Sequence, residues 1–148
     1  MKVAILMGSE KDMPKMEPCS AVLDEFGVEH EVHVMSAHRT PAKVAGFATS
    51  AREDGFGAII CGAGKAAHLA GAVAAHSTLP VIGIPVSAGG LGGVDALYST
   101  VQMPTGIPVA TVAIDSSANA AYLAIAILSI ADAELAAKLD DYRAGLAG

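Results

Sequence analysis

Short runs of β-branched and aliphatic residues alternate with longer alanine-rich stretches along this chain. Each apolar run is long enough for one buried strand, and each alanine-rich stretch is long enough for a helix that returns the chain to the same end of a sheet. This alternation predicts an α/β fold with parallel strands and right-handed crossovers. The predicted strands are residues 2–7, 28–35, 56–61, 80–85 and 107–114.

Helix signals fall between the predicted strands. Thr40 and Pro41 are typical of a helix cap and a first helical residue, and Gly27 and Gly55 are typical of the position after a helix. We therefore expect one domain over residues 1–148, a three-layer sandwich with a central parallel sheet of about five strands, flavodoxin-like or Rossmann-like. The predicted helices are residues 12–26, 40–54, 94–103, 116–130 and 132–146, and another that ends near residue 76.

The composition indicates a folded chain with part of its surface covered. Hydrophobic residues make up 53% and charged residues 16%, unlike a disordered protein. Few charges and many small residues favour burial against other subunits, although an alanine-rich bias alone gives the same numbers. The extra C-terminal helix, about 132–146, is more polar and is a candidate for packing on a neighbouring subunit.

Charge and cysteine usage narrow the function classes. A formal net charge of −6 argues against general binding to nucleic acid or to an anionic membrane. Cys19 and Cys61 lack the spacing of a zinc site or a disulfide framework. The N-terminal apolar run is too short for a signal peptide, and no run is long enough to span a membrane. The sequence predicts a cytoplasmic protein without a metal site.

Three polar loops each follow a predicted strand and precede a helix: MGSEKD (7–12), SAHRTP (36–41) and GAGKAAH (62–68). The carboxyl ends of parallel strands meet at one edge of a sheet, so these loops should converge there. The side chains expected to meet are Ser9, Asp12, His38, Arg39, Lys65 and His68.

The residue types suggest a site for an anion and for proton transfer. His38 is the candidate acid or base, and Arg39 can pair with two oxygens of a phosphate or carboxylate. Lys11 and a helix N-terminus favour an anion at the first loop, where Asp12 is either a plain N-cap or a ligand for hydroxyl groups. The alternative interpretation of SAHRTP is a polar turn whose histidine only hydrogen-bonds the helix start.

The glycine-rich loops leave two interpretations open. Gly62, Gly64 and Ala67 fit a loose GxGxxA pattern, but no acidic residue ends the next strand, as a dinucleotide site requires. The alternative is a close backbone approach to a small ligand, with His68 one helical turn into the pocket. The SAGGLGG segment, 87–93, fits a lid or a subunit contact. The residues alone predict a small phosphorylated ligand and histidine acid–base chemistry, and no particular reaction.

Six segments in order resemble the N5-carboxyaminoimidazole ribonucleotide mutase family of purine biosynthesis, the class I AIR carboxylases. They are MGSEKDMPKM, VMSAHRTPAKV, GAGKAAHLAG, PVIGIPV, LGGVDALYSTVQMPTGIPVATVAI and ANAAYLAIAIL. The resemblance runs from Met1 to about Arg143. It implies an isomerase that moves a carboxylate from N5 to C4 of aminoimidazole ribonucleotide, through loss of CO2 in a closed site and its recapture at C4, with no cofactor.

The resemblance also implies roles for single residues and an assembly. His38 would carry protons, with His68 as a second histidine near the reacting carboxylate. The implied substrate contacts are Ser9, Lys11, Asp12, Ser36, Ala37, Arg39, Gly62, Ala63, Gly64 and Lys65. The implied partners are the ribonucleotide and CO2, and the implied assembly is a homo-octamer with sites built from more than one subunit.

Three positions depart from the family pattern. Lys11 stands where a serine is usual, Lys65 where a glycine is usual, and Ala70 where a proline is usual. These changes keep two alternatives open: a paralogue that carboxylates or decarboxylates AIR or a related heterocyclic ribonucleotide, and a non-catalytic nucleotide-binding module. Arg39 and His68 favour the mutase over the related branch that carboxylates with free CO2.

Overall fold

A computed structural model describes residues 1–147 of the chain. The strands are β1 (Lys2–Met7), β2 (His30–Val34), β3 (Phe56–Gly64), β4 (Val81–Val86) and β5 (Ala110–Thr111). The helices are α1 (Met13–Phe26), α2 (Pro41–Ser50), α3 (Leu69–His76), α4 (Val94–Val101), α5 (Ser117–Leu128) and α6 (Ala133–Leu146). Short 3₁₀ turns at Glu10–Asp12 and Ser129–Ala131 precede α1 and α6.

The five strands form one parallel sheet in the order β2-β1-β3-β4-β5. Ile5 of β1 lies between Val32 of β2 and Ile60 of β3, which fixes the register at the centre of the sheet. The chain leaves β1 towards β2 and then crosses back to β3, so the strand order reverses between β1 and β3. Ligands of such sheets bind at the carboxyl ends of the strands beside this reversal. The predicted flavodoxin-like architecture is confirmed.

Helices cover both faces of the sheet and bury two apolar cores. The core beneath α1, α5 and α6 includes Ile5, Met16, Ile60, Ala121, Ile125 and Leu139. The core beneath α2 and α3 includes Leu6, Val44, Ile59, Leu69 and Val73. Because β1 and β3 are buried on both faces, their sequences are almost continuously apolar, as expected for inner strands of a parallel sheet.

The helix boundary signals hold with two differences. Gly27 ends α1 in the left-handed region, with φ of 72°, and Pro41 begins α2. Thr40 precedes α2 but makes no side-chain capping bond, because its hydroxyl oxygen accepts from the N–H of Ser36 at 3.0 Å while the hydroxyl donates to the carbonyl of Ser36 at 3.1 Å. Helix α2 ends at Ser50, earlier than predicted, and the chain reaches β3 through turns.

The fifth strand is shorter than the predicted range of 107–114, since only the two residues of β5 pair with β4. Pro85 and Pro108 offer no N–H, which limits a regular ladder along this edge. The backbone N–H of Asp115 still donates to the carbonyl of Pro85 at 2.9 Å. The segment therefore follows β4 to the end of the sheet and delivers Asp115 to the same edge as the predicted site.

Helix α6 packs on its own chain. Tyr142 of α6 and Tyr122 of α5 stack with ring centroids 4.7 Å apart, and both rings meet Phe26 of α1 edge-on. Asp132 caps the helix by accepting a hydrogen bond from the N–H of Leu135 at 3.0 Å. Additional packing of α6 on a neighbouring subunit stays a prediction. No helix in residues 1–147 combines the length and the apolar character needed to cross a membrane.

Candidate functional site

A cavity of about 590 Å³ opens at the carboxyl ends of β1 and β3. The three polar loops predicted to converge all contribute to it. Its lining contains Gly8, Ser9, Lys11, Asp12, Ser36, Ala37, His38, Arg39, Ala63, Gly64, Lys65, Ala66, His68, Leu69 and Ala88. Every predicted catalytic or substrate-binding residue lies in this lining except Gly62.

Gly62 lies beneath α1 and not on the cavity. A Cβ at this position would sit 2.4 Å from the Sδ of Met16, so the glycine allows α1 to pack closely against β3. The predicted loop from residue 62 is wrong at its start, because β3 continues to Gly64. The strand is buried on both faces here, and the apolar run gives no sign of where it meets the ligand edge.

His38 and His68 contact each other at the rim of the cavity. The distance from His38 Nε2 to His68 Nδ1 is 2.6 Å, and the rings meet edge to face at 84°. Only one proton fits between the two nitrogens, so one ring donates and the other accepts. Both side chains are exposed, which leaves the outer nitrogen of each ring free to reach a substrate. This arrangement allows one proton to pass between the two rings.

The SAHRTP loop is held in place by its own side chains. Thr40 Oγ1 accepts a hydrogen bond from the N–H of Ser36 at 3.0 Å, and the N–H of Arg39 donates to Ser36 Oγ at 3.2 Å. The Arg39 guanidinium also donates to the carbonyl of Gly8 at 2.5 Å. These bonds tie the second loop to the first, and they fix His38 between two anchored residues.

The first loop supplies a cationic corner. Ser9 Oγ accepts a hydrogen bond from the N–H of Lys11 at 3.3 Å, at the start of the 3₁₀ turn. A second cavity of about 420 Å³ adjoins this corner and shares Gly8, Ser9, Lys11, Ser36 and Arg39 with the first. Two cations, two hydroxyls and helix-end N–H groups suit a phosphate or carboxylate in spite of the net negative charge of the chain.

Asp12 is the acidic residue of the site. Its side chain makes no capping bond to α1, which removes the plain N-cap interpretation. Partial burial raises the pKa of Asp12 above its ordinary value, against the attraction of Lys15 and Arg39. A half-buried carboxyl on the cavity wall is an acceptor for ligand hydroxyl groups, as two vicinal hydroxyls of a ribose would supply.

Lys65 adopts a conformation that few residues with a side chain accept. Its φ is 57°, which a glycine adopts without steric penalty and which costs another residue roughly 1 kcal/mol or more. Its Cε lies 3.6 Å from where a Cβ on Gly89 would sit. The lysine thus bridges the end of β3 and the glycine loop after β4.

The sequence indicates a lid or a subunit contact for the loop after β4, but none of the residues of this loop is among the predicted site residues. Ala88 lines the cavity, and Ser87 before it is bonded to Lys15 and Asp115. The glycines of residues 87–93 were a signal for a flexible loop, but nothing in the sequence links residues so far apart. Among residues 1–147 there is no cluster of three or more His, Cys, Asp or Glu side chains that could hold a metal ion.

Comparisons with known proteins agree with this geometry. Residues 2–147 match the family model described as AIR carboxylase. An N5-carboxyaminoimidazole ribonucleotide mutase of Aquifex aeolicus is 56% identical over 138 residues, which are 93% of this chain and 83% of that protein. A phosphoribosylaminoimidazole carboxylase of Saccharomyces cerevisiae is 52% identical over 140 residues, which are 95% of this chain and 24% of that protein.

A solved structure, PurE of Treponema denticola, superimposes with a TM-score of 0.89 at 34% sequence identity. The match covers 98% of this chain and 90% of that one. The fold, the cavity at the strand ends and nearly full-length similarity therefore lead to one assignment. The chain belongs to the AIR carboxylase family.

Proposed function

We propose that this chain is an N5-carboxyaminoimidazole ribonucleotide mutase of purine biosynthesis, which moves a carboxylate from N5 to C4 of the aminoimidazole ribonucleotide. The observation that carries this proposal is the His38–His68 contact of 2.6 Å in a cavity that also holds cationic and hydroxyl-binding groups. The identity to the mutase of Aquifex aeolicus supports it.

The ribonucleotide fits the polarity of the cavity. Its phosphate would lie at the corner of Ser9, Lys11 and Arg39, where charge-assisted hydrogen bonds are strongest. Asp12 would accept the ribose hydroxyls. The aminoimidazole would then lie along Ala37 and the end of β3, beside the histidine pair. The remaining contacts in this arrangement are Ser36, Ala63, Gly64 and Lys65, and Gly62 would act only by admitting Met16 behind them.

The proton balance of the reaction needs one group that both donates a proton and accepts one. The substrate carbamate loses CO2 when its C–N bond breaks and N5 takes a proton. C4 of the resulting aminoimidazole then attacks CO2, and the hydrogen on C4 leaves as a proton. His38, hydrogen-bonded to His68, delivers the first proton and takes the last, so the pair ends as it began. Retention of CO2 beside C4 replaces a bimolecular encounter with a local one.

A direct carboxylase, which uses free CO2 on aminoimidazole ribonucleotide, is the second candidate. The name of the yeast relative and the description of the family model favour it. Lys65 adds a cation beside the site where a carboxylate would form. Ultraviolet absorbance of the C4-carboxylated product distinguishes the two candidates, because one reaction starts from the N5-carboxy ribonucleotide and the other from aminoimidazole ribonucleotide with bicarbonate.

We expect fast turnover only from the N5-carboxy ribonucleotide. A His38→Asn variant should lower kcat by roughly 10²- to 10⁴-fold, since it removes a general acid–base group. His76→Asn is the matched control, because His76 ends α3 and does not line the cavity. Equal rates for His38→Asn and wild type would rule out His38 as the proton carrier. Turnover only from bicarbonate would establish the carboxylase.

Assembly into a homo-octamer with shared sites is part of the same proposal. Exposed apolar side chains support a covered face around α4: Val94, Tyr98 and Val101 lie on α4, and Leu91 lies just before it. Light scattering tests this directly, and a monomeric mass would remove both the octamer and the shared sites. A cytoplasmic location also stays a prediction, to be checked by fractionation.

A further inference from the structure

Three polar side chains from distant parts of the chain meet behind the cavity wall. Lys15 Nζ lies 2.6 Å from the carbonyl oxygen of Ser87, and 3.1 and 2.9 Å from the two carboxylate oxygens of Asp115. The hydroxyl of Ser87 is a fourth acceptor, so the three N–H groups of Lys15 serve four oxygens and one N–H is shared. We call these three residues the Lys15 network. None of them lines the cavity.

Asp115 closes the network from the other side. The N–H of Ser87 donates to its Oδ1 at 2.8 Å, and the hydroxyl of Ser87 donates to its Oδ2 at 2.5 Å. Partial burial raises the pKa of Asp115, but the hydrogen bonds from Ser87 and Lys15 outweigh it and hold that pKa below its ordinary value. The carboxylate is thus ionised and fully engaged at neutral pH.

The backbone of Asp115 takes the left-handed conformation. Its φ is 57°, in a region that aspartate enters more readily than most residues when its side chain is hydrogen-bonded locally. The bonds from Ser87 and Lys15 supply that support. Lys15 and Asp115 each keep 35% of their side-chain surface exposed, so it is the number of bonds that distinguishes the network from an isolated ion pair.

Ser87 is the first residue of the glycine loop, residues 87–93. The next residue, Ala88, lines the cavity, and its Cβ lies 2.9 Å from where a Cβ on Gly64 would sit. Gly89 then follows against Lys65. The network thus fixes Ser87. From Ser87 the loop makes its two approaches to the end of β3, Ala88 towards Gly64 and Gly89 towards Lys65.

We propose that Lys15 is a positioning residue, which acts through Ser87 and Asp115 to hold the glycine loop as a wall of the cavity. The expected effect of Lys15 on KM rests on the proposed function. Glycines populate many backbone conformations, so a glycine loop whose first residue is not held in place must be ordered each time a ligand binds. Anchoring at Ser87 removes part of that entropy loss in advance. Lys15 itself touches neither substrate nor reacting atoms.

The test compares Lys15→Met with Lys15→Arg and with Lys138→Met. Methionine keeps the linear stem and removes the charge, and arginine keeps the charge. Lys138 pairs with Glu134 on α6, so Lys138→Met is a matched loss of a lysine away from the site. The readouts are kcat and KM with the N5-carboxy ribonucleotide, and amide hydrogen exchange of residues 88–93 without substrate.

For Lys15→Met we expect KM to rise about tenfold, because the loop loses the charge-assisted bonds that hold it before the substrate binds. We expect kcat to change less than about threefold. Amide exchange of residues 88–93 should rise by about tenfold as well. Lys15→Arg should recover most of both effects, and Lys138→Met should show neither. Should Lys15→Met not fold, Ser87→Ala replaces it with the same expectations.

Unchanged exchange in Lys15→Met would overturn the proposal, and so would faster exchange with an unchanged KM. Failure of the proposed function is separate: wild-type protein would then show no mutase turnover. In that case the exchange experiment still decides whether the Lys15 network anchors the loop, because it needs no substrate.

Discussion

At Gly64 the end of β3 lies close to the end of β4 and to the loop that follows it, beside the cavity. A Cβ built on it would lie 2.9 Å from Ala88 Cβ and 3.0 Å from the carbonyl oxygen of Val86. Neither atom is the end of a flexible side chain, so a Gly64→Ala change must move backbone. Gly62 faces a different obstacle, since its closest neighbours are the Sδ and Cε of Met16 at 2.4 and 2.9 Å.

The two substitutions should therefore differ in stability. Forcing a methyl group against a packed wall costs about 1–3 kcal/mol, and replacing glycine by alanine returns about 0.4–1 kcal/mol through the unfolded state. For Gly64→Ala the balance is a loss of about 1–2 kcal/mol, or about 2 to 8 °C in Tm. For Gly62→Ala the thioether of Met16 can rotate away, and we expect a change within about 1 kcal/mol.

Thermal unfolding followed by circular dichroism measures both variants, with Gly46→Ala as the control. Gly46 is in helix α2 with open space around its Cβ position, so alanine there should stabilise by about 0.5–1 kcal/mol. Gly64→Ala should also raise KM, because it displaces Ala88, whereas Gly62→Ala should leave KM nearly unchanged.

A Tm for Gly64→Ala at or above that of wild type would refute the reasoning. It would mean that the loop after β4 yields freely and that Ala88 is not a fixed wall. A larger loss for Gly62→Ala than for Gly64→Ala would contradict the argument in a second way, by showing that Met16 cannot give way.

Three further changes test the backbone, the electrostatics and the core. Lys65→Gly should be more stable than Lys65→Ala by roughly 1 kcal/mol, because only glycine relieves the positive φ; equal melting temperatures would contradict this. The raised pKa of Asp12 means that its stability contribution is present below its unfolded pKa and is lost as pH rises through the folded value. Asp12→Asn should therefore raise Tm at neutral pH, the gain should vanish below about pH 4, and KM should rise; a constant gain across pH would be inconsistent with burial as the cause. Burial raises the pKa of Cys19 to about 12 and that of Cys61 also, so neither thiol should react with a disulfide reagent near pH 8 until the chain is unfolded; fast labelling of native protein would oppose that assignment.

Much of the fold was readable from the chain. The alternation of apolar runs with alanine-rich stretches determines a parallel α/β sheet, since parallel neighbours need a helical crossover. Gly27 and Pro41 mark their helix boundaries because their backbone preferences act locally. Polar loops after parallel strands must share one edge, so the convergence of His38 and His68 at that edge was predictable, whereas their direct contact was not.

Other features depend on which side of an element a residue faces. An inner strand is apolar on both faces, so the sequence around β3 does not reveal that Gly62 lies under Met16 while Gly64 reaches the cavity. The length of β5 was overestimated for a related reason. Its residues suit a strand, but the available N–H groups of its partner determine how far pairing extends, and Pro85 supplies none.

The sequence by itself determined the sheet, the edge that carries the site and the residue types brought there. Only the tertiary structure decided that Lys15, Ser87 and Asp115 join behind the cavity wall, and that Thr40 closes its loop instead of capping α2. The physical reason is range. Backbone preference and hydrophobic periodicity act over a few residues, whereas hydrogen bonds between residues 15, 87 and 115 exist only after the sheet has brought three distant segments to one edge.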